Sequence, residues 1–281
     1  MNSKAATRHY GYSQRVNKVL MILRLSFREL LRSHIIWAAL SFQVGLSLLM
    51  VPIAEVGFDE VGRIYDTLSY FAVCFQGVVV AAFLGSFLWA RDSSKTGIGE
   101  IFCRADFGRY MLLCTRLFAY SLALLAFGVA GLLFYGVGLR LFAPERLNTD
   151  ALLYMALYGF VLNFFALVLS CFLATLTRPA FAGLAAIFLL AAGSLAESLS
   201  GVSNLSQGDL QVISPAAVWL NIVARAWRPQ TLIVGQKGGQ WLLPSNAELS
   251  NTLIWASGWI LVLMVALYFV LLLRDPQERV S

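Results

Sequence analysis

The chain has 281 residues, 59% hydrophobic and 13% charged, with a mean hydropathy of +0.74. Soluble domains carry about 45–50% apolar and about 25% charged residues, so a soluble globular protein is excluded and lipid must be the solvent for most of this surface. The net charge of +6 is read through membrane topology, set out below, and not as a nucleic-acid footprint.

The first element in the chain is amphipathic. In residues 15–33, "RVNKVLMILRLSFRELLRS", a helical projection gathers Val16, Leu20, Leu23, Phe27, Leu30 and Leu31 within about a third of the circumference. Arg24, Arg28 and Arg32 follow one another on the other side, with Lys18 beyond. Such a helix lies in the membrane interface, its apolar face in acyl chains and its basic face near lipid phosphates. The segment is too long and too polar for a signal-peptide n-region, and no A-x-A site follows, so the first span is expected to stay uncleaved.

About 20 apolar residues are needed to cross a ~30 Å hydrocarbon core as helix. Six runs qualify, at about 35–54, 67–90, 110–137, 151–176, 180–200 and 251–273. The fourth and fifth are separated only by "LTRPA", where Arg178-Pro179 breaks the helix. Together they are too long for one span. The predicted fold is therefore an all-α polytopic membrane protein: a cytoplasmic N-terminus with its amphipathic helix (1–34), six spans (35–273) and a short cytoplasmic tail (274–281). With the N-terminus inside, the cytoplasmic segments 1–34, 91–109 (extended to Arg116), 177–179 and 274–281 hold fifteen of the twenty-one Lys and Arg residues but six of the fifteen acids. That is the positive-inside pattern, and it places both termini in the cytoplasm.

Between spans, the outer loops 55–66 and 138–150 are short, whereas the outer segment 201–250 is long. Its patch "PAAVWLNIVARAW", entered at Ser214-Pro215, predicts a helix on or dipping into the outer leaflet, with Trp219 and Trp227 at headgroup level. Within the spans polar residues are sparse: Gln43, Gln76, Asn163 and Glu197. Glu197, Asn163 and Gln76 are the candidates for a pathway role, weighed against ordinary interhelical hydrogen bonding. Small residues recur in "FGVAGLLFYGVG" and "FAGLAAIFLLAAGS", which suits close helix packing.

Catalytic and metal motifs are missing from the sequence. It contains no G-x-x-x-x-G-K-[ST], no H-E-x-x-H and no C-x-x-C. The four cysteines, Cys74, Cys103, Cys114 and Cys171, fall in spans or the cytoplasmic loop, so no structural disulfide is expected. No active site, metal site or cofactor site is assigned to this chain, which favours transport or scaffolding over enzymatic chemistry.

The loop 91–109 between the second and third spans, within "ARDSSKTGIGEIFCRADFGRY", is longer than a connector needs to be. Asp92 and Ser93 or Ser94 offer N-caps, and Ile98, Ile101, Phe102 and Ala105 recur at helical spacing. The expectation is a short helix parallel to the membrane that a cytoplasmic partner can grip. Here the chain resembles the membrane subunit of type-2 ABC exporters, the ABC-2 permease family. In many of those proteins this loop reads approximately acidic–x4–G-T-x3-L-L-x2-P-x-S-R. In this chain Asp92, Gly97, Phe102-Cys103 and Arg109 fall in register, with Ile98 at the threonine position and Asp106 at the proline position. The amphipathic segment before span one, the "TRPA" turn, the long outer segment and the closing "LLLRDPQE" are similar to the family's features.

The resemblance implies a permease subunit of an exporter in the bacterial inner membrane. It would work as a dimer, with an identical or related second copy, and be driven by separate cytoplasmic ABC ATPase subunits that bind ATP and Mg. By position, Gly97, Glu100, Ile101, Phe102 and Arg104 would make the coupling-helix contact with the ATPase, and Arg178 the smaller second one. Arg24, Phe27, Arg28 and Arg32 would belong to the interfacial elbow, and the outer segment to re-entrant helices that cap the pathway. The sparse polar complement suits a lipid-like or amphipathic cargo. The alternative reading is a non-catalytic membrane scaffold or assembly factor that docks a cytoplasmic partner.

Overall fold

The computed structural model describes residues 3–56, 76–93, 109–142, 149–202, 236–237, 240–241 and 246–274. Seven helices account for nearly all of them: α1 (Ser3–Arg32), α2 (His34–Val56), α3 (Gln76–Ser93), α4 (Arg109–Phe142), α5 (Thr149–Leu176), α6 (Pro179–Val202) and α7 (Asn246–Arg274). A two-residue antiparallel ladder, β1 (Gln236–Lys237) with β2 (Gln240–Trp241), lies in the segment expected on the outer side. The helix expected from Ser214-Pro215, and the tail from residue 275, fall outside the described residues.

Three helical stretches are long and apolar enough to cross a membrane: Tyr110–Gly138, Gly159–Leu176 and Ala256–Leu273. Shorter apolar helical stretches occupy His34–Leu46, Gln76–Trp89 and Pro179–Ala191. The long apolar runs are helical because a chain in lipid has no water for its backbone N–H and C=O groups and must satisfy them within the segment. Buried hydroxyls obey the same demand: Ser26 donates to Ile22 O at 2.9 Å, Thr115 to Met111 O at 2.8 Å and Ser170 to Leu167 O at 3.0 Å.

Helix α5 is the hub. Its residues Phe165, Ala166, Leu167, Val168, Ser170 and Cys171 are buried, and α3, α4, α6 and α7 all pack on it. Helix α4 also bears α1 and α2. The α5–α6 break stands where Arg178-Pro179 predicts it. Thr177 donates both its backbone N–H (3.0 Å) and its Oγ1 (3.1 Å) to Leu173 O, which closes α5. Pro179 opens α6 at the position where a missing N–H costs nothing, and Arg178 O accepts from Ala182 N–H at 2.9 Å. Two helices packed on one another result, in place of one kinked rod.

Among the described residues α3 packs most extensively on α5, and the cause is steric. Gly77, Ala81 and Gly85 recur every fourth residue along one face of α3. A Cβ on Gly85 would stand 2.2 Å from Leu167 O and 2.3 Å from Ser170 Oγ, and one on Gly77 would stand 2.4 Å from Asn163 Nδ2. The small-residue stretches singled out in the third and fifth spans behave differently. Ala182, Gly183 and Ala186 of α6 are buried, but nothing lies within 4 Å of a Cβ built on Gly128 of α4.

Candidate functional site

The amphipathic helix is longer than the periodicity alone indicates, running from Ser3 to Arg32, and it has three sectors instead of two faces. Ile22, Ser26 and Leu30 are buried against the protein, with Val19 and Leu23 half-buried beside them. Val16, Leu20 and Leu31, which the projection places in the apolar face, are exposed, Leu20 at 57% and Leu31 at 64%. Arg24, Arg28 and Arg32 are exposed in a third sector, and Phe27 is half-buried at the boundary between the packed and open apolar strips. The apolar arc is thus split by packing: part goes to α4, part stays open. Only Ser33 separates α1 from α2, and the break is capped. Ser33 N–H donates to Leu30 O at 2.9 Å and Trp37 Nε1 to Leu31 O at 2.7 Å, satisfying carbonyls that the end of α1 leaves free.

The packed sector of α1 sits on the first turns of α4. Ile22 and Leu112 form a small buried cluster with Val19 against it. Higher up, Arg116 Nη2 donates to both carboxylate oxygens of Glu29, at 3.2 Å to Oε1 and 3.1 Å to Oε2. The Arg116 side chain is 1% exposed and that of Glu29 14%. On α7, Tyr268 meets Tyr110 edge to face at 5.1 Å between ring centroids. The base of α4 is therefore held by α1 through an ion pair and by α7 through an aromatic contact.

Residue 109, where α4 begins, ends the loop 91–109. Gly97, Glu100, Ile101, Phe102 and Arg104 lie outside the described residues, so the structure speaks of the helices on either side of them. Arg178 is exposed at the α5–α6 turn. Glu197 is on α6, with its side chain outside the described residues.

Gln76 and Asn163, in contrast, are brought to one level. Gln76 is 7% exposed and its Nε2 donates to Ala39 O of α2; Asn163 is 1% exposed and its carboxamide lies on the bare Gly77 backbone. Gln43, buried at 1%, stands one turn along α2 from Ala39. Three helices thus contribute carboxamides within about one turn of each other. Asn163 is near the middle of α5, roughly 20 Å from either end at about 1.5 Å rise per residue. Gln76 Oε1 and Asn163 Oδ1 are buried without a hydrogen-bond donor among the described residues. Asn163 also lines a small cleft between α4 and α5, about 10 Å³, whose other walls include Leu124, Gly128 and Phe160. A volume of that order holds one water or one hydroxyl.

Among the described residues no group of three His, Cys, Asp or Glu is gathered to hold a metal. What the arrangement offers is mechanical and solvating: a gripped helix base and a mid-bundle layer of spare acceptors.

Sequence reasoning missed the Glu29–Arg116 pair. The signal was available in halves: Glu29 is the one acid among the first 34 residues, and Arg116 interrupts the apolar run "MLLCTRLFAY". Each charge is out of place in its own helix, but 87 residues separate the two and nothing local pairs them.

The fold and this arrangement define a helical protein with at least three helices fit to cross a membrane. Comparison with family models, with curated proteins and with solved structures gives no match to this chain.

Proposed function

We propose that the protein is the permease subunit of an ABC exporter of the type-2 class: six spans, both termini cytoplasmic, in a bacterial inner membrane. It would act as a dimer and be driven by ATP hydrolysis in a separate ATPase. One observation carries this reading most. The amphipathic helix α1 is seated on the first turns of α4, immediately after the loop whose glycine, paired apolar residues and arginine resemble the family's coupling helix. A partner acting on that loop and an elbow anchored in the interface would then work on the same helix.

In this reading the loop residues Gly97, Glu100, Ile101, Phe102 and Arg104 contact the ATPase, with Phe102 as apolar anchor and Glu100 and Arg104 as polar contacts. Arg178, exposed at the α5–α6 turn, faces the same cytoplasmic side and makes the smaller second contact. The open apolar sector of α1 rests in acyl chains while Arg24, Arg28 and Arg32 reach lipid phosphates. Gln76 Oε1 and Asn163 Oδ1 offer acceptors to a cargo carrying a hydroxyl or amine on an apolar body, with Glu197 as the further pathway candidate towards the outer side.

The test is purification from native membrane. A P-loop ATPase should accompany the protein at about one ATPase per permease copy, and Phe102→Ala combined with Arg104→Glu should release it. If no nucleotide-binding protein accompanies the chain, the permease reading fails and the scaffold reading takes its place.

A further inference from the structure

We infer that Glu29 and Arg116 are positioning residues that fix α1 to α4 as one moving body. The inference deepens the permease reading and rests on it for its purpose, though not for its geometry.

Three observations carry it. The first is burial: Arg116 is among the largest fully buried side chains of the described residues, and its Nη2 reaches both carboxylate oxygens of Glu29. The second is depth. Leu124 of α4 and Asn163 of α5 line the same cleft, so Arg116, eight residues before Leu124, lies about 12 Å towards the α4 base from the carboxamide layer. In the permease reading, with the candidate span Tyr110–Gly138 centred on the bilayer, that is close to the edge of a hydrocarbon core whose half-thickness is about 15 Å. The third is register along α4. Arg116 follows Arg109, where the loop ends, by two turns, about 10 Å.

Stability does not account for such a pair. Replacing a buried ion pair by apolar side chains of similar volume is often neutral or stabilising, because two charges no longer have to be desolvated. What an apolar contact cannot supply is direction. Other contacts of α1 with α4, such as Ile22 on Leu112 with Val19 beside them, are apolar surfaces that can slide by a fraction of a turn. Arg116 Nη2 reaches both oxygens of Glu29 from a single nitrogen, and a slip of the helices that parted them would leave buried charge uncompensated, which is how a buried ion pair sets register. The pair therefore sets the height and rotation of α1 on α4, and with them the position of the basic sector Arg24, Arg28 and Arg32. On the α7 side the Tyr110–Tyr268 edge contact involves no ionic bond, so α4 can tilt against α7 while α1 follows it.

The experiment uses the whole complex in nanodiscs, with the four native cysteines replaced by serine and spin labels placed at exposed positions. Labels at Leu20 and Phe118 report the α1–α4 distance; labels at Leu20 and Phe181 report α1 against α6. Distances are measured without nucleotide and with ATP and vanadate. The native pair should give one narrow α1–α4 distance, identical in both states, while the α1–α6 distance changes. The apolar double variant Glu29→Met with Arg116→Met should keep its melting temperature yet show a broadened or split α1–α4 distance. Exchanging the charges, Glu29→Arg with Arg116→Glu, should restore the narrow distribution.

A narrow, unchanged α1–α4 distance in the apolar variant overturns the proposal, since packing alone would then fix the register. So does an α1–α4 distance that shifts with nucleotide in the native pair. Failure of the permease reading looks different: no label pair responds to ATP, while the widths in the nucleotide-free state still decide whether the ion pair sets the register.

Discussion

Substituting alanine for Gly85 adds a single methyl group where the structure has no room for it. The new Cβ would stand 2.2 Å from Leu167 O, 2.3 Å from Ser170 Oγ and 3.0 Å from the Leu167 carbonyl carbon. Two of these atoms belong to the backbone of α5, and Ser170 Oγ is itself bonded to Leu167 O at 3.0 Å, so no flexible side chain can simply rotate aside. The helices must separate by roughly 1 Å at this point, and over-packing of this kind costs about 1–3 kcal/mol. That is a large share of a total stability on the order of 5–15 kcal/mol. The assay is thermal unfolding of the purified protein in mild detergent, followed by tryptophan fluorescence and by the fraction that remains monodisperse. Gly85→Ala should lower the transition by several degrees, and Gly85→Val by more. Gly128→Ala serves as the control, since nothing lies within 4 Å of a Cβ there, and it should leave the transition unchanged or raise it through better helix propensity. If Gly85→Ala melts like the native protein, or if Gly128→Ala is equally damaging, the packing argument for α3 and α5 is wrong.

Two further outcomes are expected. Gln76→Leu removes the donor to Ala39 O, and it should cost about 0.6 kcal/mol and at most about 1.7 kcal/mol, the average and maximum for interhelical hydrogen bonds in lipid, read in the same unfolding assay. Neutralising Arg24, Arg28 and Arg32 together to Gln should leave the melting temperature in detergent unchanged, because all three are exposed. The dependence of the protein's stability in vesicles on anionic lipid should weaken, by about 1 kcal/mol for each basic residue removed.

How far a sequence can be read depends on whether the determinant is local. The boundary at Arg178-Pro179 was legible because a proline acts on its own backbone and its neighbour's. The amphipathic helix was legible as a pattern, and Arg24, Arg28 and Arg32 are exposed as the projection has them. The projection could not say that Leu30 would pack on the protein while Leu20 and Leu31 stay open, because protein and lipid are equally apolar partners. Small residues show the same limit. Gly85 matters for the carbonyl opposite it, Gly128 faces open space, and nothing local distinguishes the two. The ion pair was hidden for another reason: its members are 87 residues apart, so each was visible as an oddity and their partnership was not. Gln76 and Asn163, picked out singly as polar residues in spans, share a level because Gly77 leaves space for the Asn163 carboxamide.

The division of α1 into three sectors has a consequence for biogenesis. During synthesis α1 leaves the ribosome before α4, and the arginine that will hold Glu29 follows it 87 residues later. At about 5–20 residues per second, that interval lasts on the order of 4–17 s. Throughout it the carboxylate must stay hydrated and the helix must not wander. The open apolar strip and the basic strip can moor α1 flat on a membrane surface, with Glu29 in the headgroup layer, until α4 is inserted. The sectors left open among the described residues are thus the ones that can hold the helix at its berth, so that docking becomes a short roll along the membrane surface instead of a search through solution.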